Sequence, residues 1–326
     1  MSSIRAIGKV VLGALASLVM AGAANAQQTL KWAHVFEVAE PFHTEAVWAS
    51  EEIARRTEGR YKIEVYPASQ LGKEGDLDQG LTLGSVDIVT LTAGLAARQY
   101  PPLGVTYYPF IFRDADHLLA FARSDIYKKL TKGYADKTGH QILATIYYGT
   151  RHTTANKPIG KCADLAGIKM RVPNIPSYLA MPRACKANTA PIPFAEVYLA
   201  LQNGTVDAQE NPLTAIEAKK FYEVQKHVAL TGHIVDQLNT VVSKSRWGSL
   251  SEADRAIFSA VIQESAARAT RKIVAREKEL VQFFKDKGLT VADVDRADFE
   301  KNVQDRVGFQ EFGYDKTDWE AIRALK

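Results

Sequence analysis

The sequence specifies an α/β protein of two lobes of related construction. At 326 residues it is long enough for two domains. Its opening segments run strand, helix, strand at the intervals of a βαβ unit. A helix–glycine–strand pattern then occurs twice, far apart: "KEGDLDQGLTLGSVDIVTL" and "FAEVYLALQNGTVDAQEN" both pass from helix to strand through Gly-Ser/Thr-Val-Asp. Gly84 and Gly204 fall just past the helix ends, where a left-handed residue is favoured.

In order, "LKWAHVF" reads as a short strand. "PFHTEAVWASEEIARRTEGR" is a helix with apolar residues at helical spacing and a stop at Gly59, and "YKIEVYP" is an alternating strand closed by Pro67. After the first helix–Gly–strand unit, "HQILATIYYGTRHTTANKPI" reads as a strand entering a polar loop at Gly149, a crossing from one lobe to the other. "LAGIKMRVP" is the next strand and "SYLAMPRACKANTA" a helix carrying Cys185. "PLTAIEAKKFYEVQKHVAL" is helical and "HIVDQLNTVVS" is strand-like. Ser251 and Asp254 form an N-cap pair opening a long periodic helix to Lys287. No flexible linker separates the halves, so crossing strands and a shared helix are expected to join them. The expected division is a leader over residues 1–26, a first lobe of 27–148 plus 237–276, and a second of 149–236 plus 277–326.

The leader is read from "MSSIRAIGK", with Arg5 and Lys9, the short apolar run "VVLGALASLVM", and Ala24-Asn25-Ala26 as a cleavage site. Its removal takes away two cations and no acids, so the formal charge falls from +4 to +2. A near-neutral chain with no basic stripe gives nucleic acid no footprint. Export places Cys162 and Cys185, the only cysteines, in an oxidising compartment that favours a disulfide; two buried thiols are the alternative.

Enzyme signatures are sparse. There is no G-x-S-x-G, H-E-x-x-H, C-x-x-C or Walker loop, and the seven histidines include no i, i+4 pair on one helix. No cofactor, metal or catalytic set is expected. Instead, polar side chains follow apolar strands: Arg151 after "ILATIYYGT", Arg171 after "LAGIKM", Asn211 after "TVDAQE". Ligands of open α/β sheets bind beyond the carboxyl ends of strands, and a guanidinium fork matches a carboxylate. Asp207 or Glu210 offers either arginine an internal partner instead.

Together, "YYGTRHTTANKPI", "DLAGIKMRVPNIPSYLAM", "PIPFAEVYLALQNGTVDAQENPLTAIEAKKFYEVQKHVALTGHI" and "SLSEADRAIF" resemble the solute receptors of tripartite ATP-independent periplasmic (TRAP) transporters, of the C4-dicarboxylate-receptor type. The resemblance implies a two-lobed periplasmic binding protein (type II-like) with crossing strands and a long interdomain helix, closing over an organic acid and serving a membrane permease. It makes Arg171 the carboxylate clamp, Arg151 a second cationic contact, Asn211 a donor, Asn174 a further polar contact and Phe194 a wall. A periplasmic monomer is expected.

For the ligand's distal part, Glu37, His43 and Glu74 are the first-lobe candidates. Carboxylates accept from hydroxyls and repel a second acid, which favours polyhydroxylated monocarboxylates. "EPFHTEAVW", "VTYYPFIFRDADHLLAF" and "RACKANTAPI" resemble hexuronate receptors for glucuronate or galacturonate. Glu74 also suits a helix first turn, and His43 a helix start. Alternatives are sialic acid, a keto acid or a dicarboxylate as ligand, or a uronate lyase or isomerase using His43 or His152 as base.

Overall fold

The computed structural model describes residues 27–326, so the expected leader lies outside the described residues. Nine strands form one mixed sheet: β1 (Gln28–His34), β2 (Tyr61–Tyr66), β3 (Ile88–Thr92), β4 (Gln141–Ala155), β5 (Lys169–Val172), β6 (Asn188–Pro191), β7 (Ala208–Pro212), β8 (His227–Val242) and β9 (Thr290–Ala292). Their order is β2-β1-β3-β8-β4-β7-β5-β6, with β9 also paired to β8. β1, β2 and β3 are mutually parallel, as are β5, β6 and β7; each set is the sheet of one α/β lobe.

The long antiparallel pair β4 and β8 belongs to both lobes. At one end, residues 238–242 of β8 lie between β3 and residues 141–146 of β4; at the other, residues 151–155 of β4 pair with β7 and residues 227–229 of β8 with β9. β4 does not end at Gly149. The polar "RHTTA" stays in strand because it is flanked by β7 on one side and β8 on the other, which satisfies its backbone in a buried setting. The register slips between Tyr147 and Gly149 and again between Arg151 and Thr153. Gly149 itself has φ +128°, and a Cβ there would stand 2.7 Å from Pro212 Cβ and 2.8 Å from Glu277 Oε1. Only glycine meets both demands.

The 35-residue helix Glu252–Asp286 is the second bridge. Ser251 caps it by accepting from Asp254 N–H at 3.1 Å. Phe258, Val261, Ile262, Ala269 and Ile273 join the first-lobe core, while Leu280 and Phe284 pack with Phe221 and Val228 in the second. Glu277 pins the helix to the crossing strand, accepting from Thr150 N–H at 2.8 Å and Tyr147 O–H at 2.6 Å.

Three other segments differ from expectation. "NTAP" is strand β6 rather than helix, and "HVAL" opens β8 rather than closing a helix; each edge is drawn into the sheet by a neighbour's backbone. The helix Lys316–Arg323 leaves the second lobe, to which sequence assigned it. Ile322 is buried in the first-lobe core, and Asp318 pairs with Lys129 at 2.5 Å.

Cys162 and Cys185 are joined by a disulfide across 23 residues, tying the turn before β5 to the end of the helix Ala180–Ala184. A closed loop of this size stabilises by about 3 kcal/mol through the unfolded chain. Replacing both cysteines by alanine is expected to cost about that much in urea unfolding monitored by circular dichroism.

Candidate functional site

A cavity of about 200 Å³ lies between the lobes, at the carboxyl ends of the parallel strands. The first lobe contributes Val35 and Phe36 after β1, Glu74 from the helix Glu74–Leu83, and Thr92, Leu95 and Arg98 after β3. β4 adds Tyr148 and Arg151. The second lobe supplies Arg171 and Asn174 at the end of β5, Phe194 after β6, and Asn211 from β7. Six of the expected residues (Arg171, Arg151, Asn211, Asn174, Phe194, Glu74) thus share one wall system.

The two arginines differ sharply. Arg151 lies within a strand rather than past its end, and its charge is taken up by the protein. Nη1 is 2.6 Å from Asp236 Oδ2, Nη2 is 2.8 Å from Glu210 Oε1, and Nε also donates to the Glu210 carboxylate. Nη2 further donates to the Glu210 carbonyl at 2.7 Å and Asn211 Oδ1 at 3.0 Å, and the guanidinium sits 4.6 Å from the centre of the Tyr178 ring. Burial works to raise the Glu210 pKa, but Arg151 and His233 hold it below the ordinary value.

Arg171 is 2% exposed and has one protein hydrogen bond, from Nε to the Ile192 carbonyl at 2.8 Å. Its Nη1 is buried without a partner. Neither Asp207 nor Glu210 pairs with it: Asp207 accepts from Lys169 N–H, and the Glu210 oxygens serve Arg151 and His233. Burial lowers its pKa to about 10, with Glu210 partly opposing and Arg151 adding to the shift. At neutral pH it stays charged, so the wall holds a dehydrated cation lacking a contact counter-ion.

On the first lobe, Glu74 accepts from Thr92 N–H at 2.5 Å, and burial raises its pKa. Thr92 Oγ1, beside that carboxylate, makes no well-aligned hydrogen bond. Asn211 already engages Arg151 and donates to Gln209 at 2.6 Å, which leaves one amide hydrogen.

Glu37 and His43 do not line the cavity. The chain turns sharply between β1 and the helix Pro41–Arg56, which carries both outward. Glu37 pairs with Lys219 of the second lobe at 2.6 Å, and His43 Nδ1 faces His34 Nε2 at 3.3 Å. His152, on the opposite face of β4 from Arg151, accepts from Gly232 N–H at 3.2 Å, and burial drives its pKa to about 3. Neither histidine borders the cavity, so neither can act there as a base.

The model of the bacterial extracellular solute-binding protein family 7 matches residues 32–311. The chain belongs to that family. Its members are periplasmic solute-binding receptors, not enzymes, and work with TRAP permeases. Over 300 residues, covering 92% of this chain and 93% of the relative, it is 35% identical to the sialic acid-binding periplasmic protein SiaP of Vibrio cholerae. A TRAP solute-binding protein from Polaromonas, bound to D-erythronate, superposes with TM-score 0.87 at 32% identity, covering 92% and 99% of the chains. Another from Xanthobacter autotrophicus, with bound β-D-galacturonate, gives 0.86 at 27% identity, covering 91% and 100%. These structures share the two-lobed architecture.

Several parts of this receptor's site escaped sequence reading. Beside the cavity, ion pairs join the lobes: Glu37–Lys219, and Lys73–Glu196 at 2.5 Å. Asp236, which neutralises Arg151, had a signal in hindsight: an acid in the middle of the apolar run "HIVDQL". Glu40 is 4% exposed; its Oε2 accepts from Glu37 N–H at 2.6 Å while Oε1 has no partner. Burial raises its pKa from the ordinary 4.5 to about 8, and Lys219 only partly offsets this.

Two consequences are measurable. Arg151→Met strands Glu210 and Asp236 as buried, uncompensated charges and is expected to cost about 3–5 kcal/mol in chemical unfolding. Glu40 binds its proton more tightly folded than unfolded, so its contribution to stability is fully present below pH 4.5 and lost as pH rises to about 8. Glu40→Gln is therefore expected to be more stable than the parent at pH 8, with the difference vanishing near pH 4, in urea titrations across that range.

Proposed function

We propose that the protein is a periplasmic receptor that captures a six-carbon sugar acid, a hexuronate such as glucuronate or galacturonate, and hands it to a TRAP permease. Arg171 carries the reading. A buried guanidinium with an unpartnered Nη1 at the wall of an interlobe cavity calls for an anionic ligand group. The carboxylate binds there; Asn211 and Asn174 supply further polar contacts, Phe194 an apolar wall, and Arg151 an edge whose charge is already met by Glu210 and Asp236. On the facing lobe, Glu74 and Thr92 meet hydroxyls.

The galacturonate bound by the Xanthobacter relative carries the carboxylate and the hydroxyls that this division of the site calls for.

No bond is made or broken. The ligand binds both lobes only when they close, and closure expels water, which strengthens the contact with Arg171. Micromolar affinity, about −8 kcal/mol, is the expected scale. A thermal-shift screen of sialic, keto, aldonic, dicarboxylic and hexuronic acids, followed by calorimetry, tests the assignment; a shift with sialic acid and none with hexuronates overturns it. Arg171→Ala is expected to weaken binding of the hit by at least about 2 kcal/mol while the apo protein unfolds at nearly the same urea concentration.

A further inference from the structure

Four cationic side chains border the ligand cavity: Lys73, Arg98, Arg151 and Arg171. Lys73 is paired with Glu196, and Arg151 with Glu210 and Asp236. Arg171 receives the ligand carboxylate in the function proposed above, on which this inference rests. Arg98 is the fourth. It is exposed, and among the described residues its guanidinium is in no ion pair or hydrogen bond. Asp78 feels its charge, but that carboxyl is buried and accepts from Gln99 at 2.7 Å.

Position gives this free cation a role. Arg98 lines the cavity from the first lobe and Arg171 from the second. Arg98 also borders an adjoining cavity of about 290 Å³, walled by Ile175, Phe312 and Tyr314. A ligand held by Arg171 and touching both lobes can therefore reach Arg98, beside which there is further room.

The acids of this lobe oppose a second ligand charge less than their number suggests. Glu37 stands outside the cavity and is neutralised by Lys219. Glu74 does border the cavity, but it accepts from Thr92 N–H and its burial favours the protonated form. In sequence these two residues alone counted against a dianionic ligand; one stands outside the cavity and the other repels a second charge less.

We infer that Arg98 is a specificity residue that admits sugar acids bearing a second carboxylate at the end distal to Arg171, so that the site takes hexarates as well as hexuronates. A hexarate has the carbon chain of a hexuronate with a carboxylate in place of the aldehyde, so it cannot close to the hexuronate ring. It binds as an open chain, with hydroxyls for Glu74 and Thr92 and a second carboxylate able to reach Arg98. Because Arg98 is partly solvated, its contact is worth a modest factor, about threefold to fivefold in affinity, and is weakened by salt.

Calorimetric titration of the parent and Arg98→Gln with galacturonate and with galactarate, at low and high salt, tests this. The parent is expected to bind both acids, and Arg98→Gln to lower the galactarate-to-galacturonate affinity ratio by about fivefold at low salt and less at high salt. A parent that binds galacturonate but not galactarate overturns the inference and leaves the receptor function standing. An unchanged ratio in Arg98→Gln overturns it as well. Binding of neither acid removes the hexuronate reading and this inference together.

Discussion

Burying a guanidinium without a counter-ion is costly, and the site is organised around the one place among the described residues where this happens. Arg171 lies in a region that already holds two acids, yet neither touches it. Glu210 is committed to Arg151 and His233, and Asp236 to Arg151. Glu210 still raises the Arg171 pKa through space, so the cation feels a stabilising field without a contact. That distinction matters for binding. The field partly offsets the burial that lowers the Arg171 pKa, while the absence of a contact leaves Nη1 open. Had Arg151 one acid fewer, the remaining carboxylate would face two arginines and the ligand would compete with it.

The rigidity this requires comes from how the lobes are joined. Arg151 sits on β4, the strand shared by both lobes, while Glu210 and Asp236 sit on the strands to either side of it. The charge network therefore locks three adjacent strands at the level where the two lobe sheets meet. The long helix adds a fourth element through Glu277, and Gly149 permits the close approach that puts its carboxylate against the Thr150 backbone. Opening and closing must then be taken up around this fixed centre, by the register slips in β4 and by the loops carrying the cavity walls. The C-terminal segment, returning to the first lobe through Asp318 and Ile322, is a further tie across the same gap.

Much of this was legible in the sequence, for physical reasons that also explain the failures. Repeated Gly-Ser/Thr-Val-Asp junctions announce a left-handed helix end followed by a buried strand, and Gly84 and Gly204 have φ of +75° and +68°. Arg171 was visible because a permanent charge stood at the end of an apolar run. The polar stretch after Gly149 misled, since its threonines resemble a loop until neighbouring strands are known to pair on both sides. Glu37 and His43 misled in the opposite way. Proximity to a strand end suggested the cavity, but a tight turn at Glu40 sets the direction of both side chains, and turn geometry is not written in residue type. Pairing across the lobes, as in Glu37–Lys219, depends on tertiary placement that no local pattern carries.

The Lys73–Glu196 pair that bridges the lobes is a weak latch: its side chains are 55% and 50% exposed, a setting in which such pairs contribute about 1 kcal/mol or less. Lys219 and Glu37, at 15% and 31%, are less screened by water. In the function proposed, the ligand's simultaneous contacts with both lobes add to these pairs in the closed state. The same physics governs release. Separating the lobes readmits water to Arg171, raises the local dielectric, and weakens a charge-assisted contact of the kind proposed there. A partner that pulls the lobes apart therefore need not attack the ligand at all. It only has to hydrate one arginine.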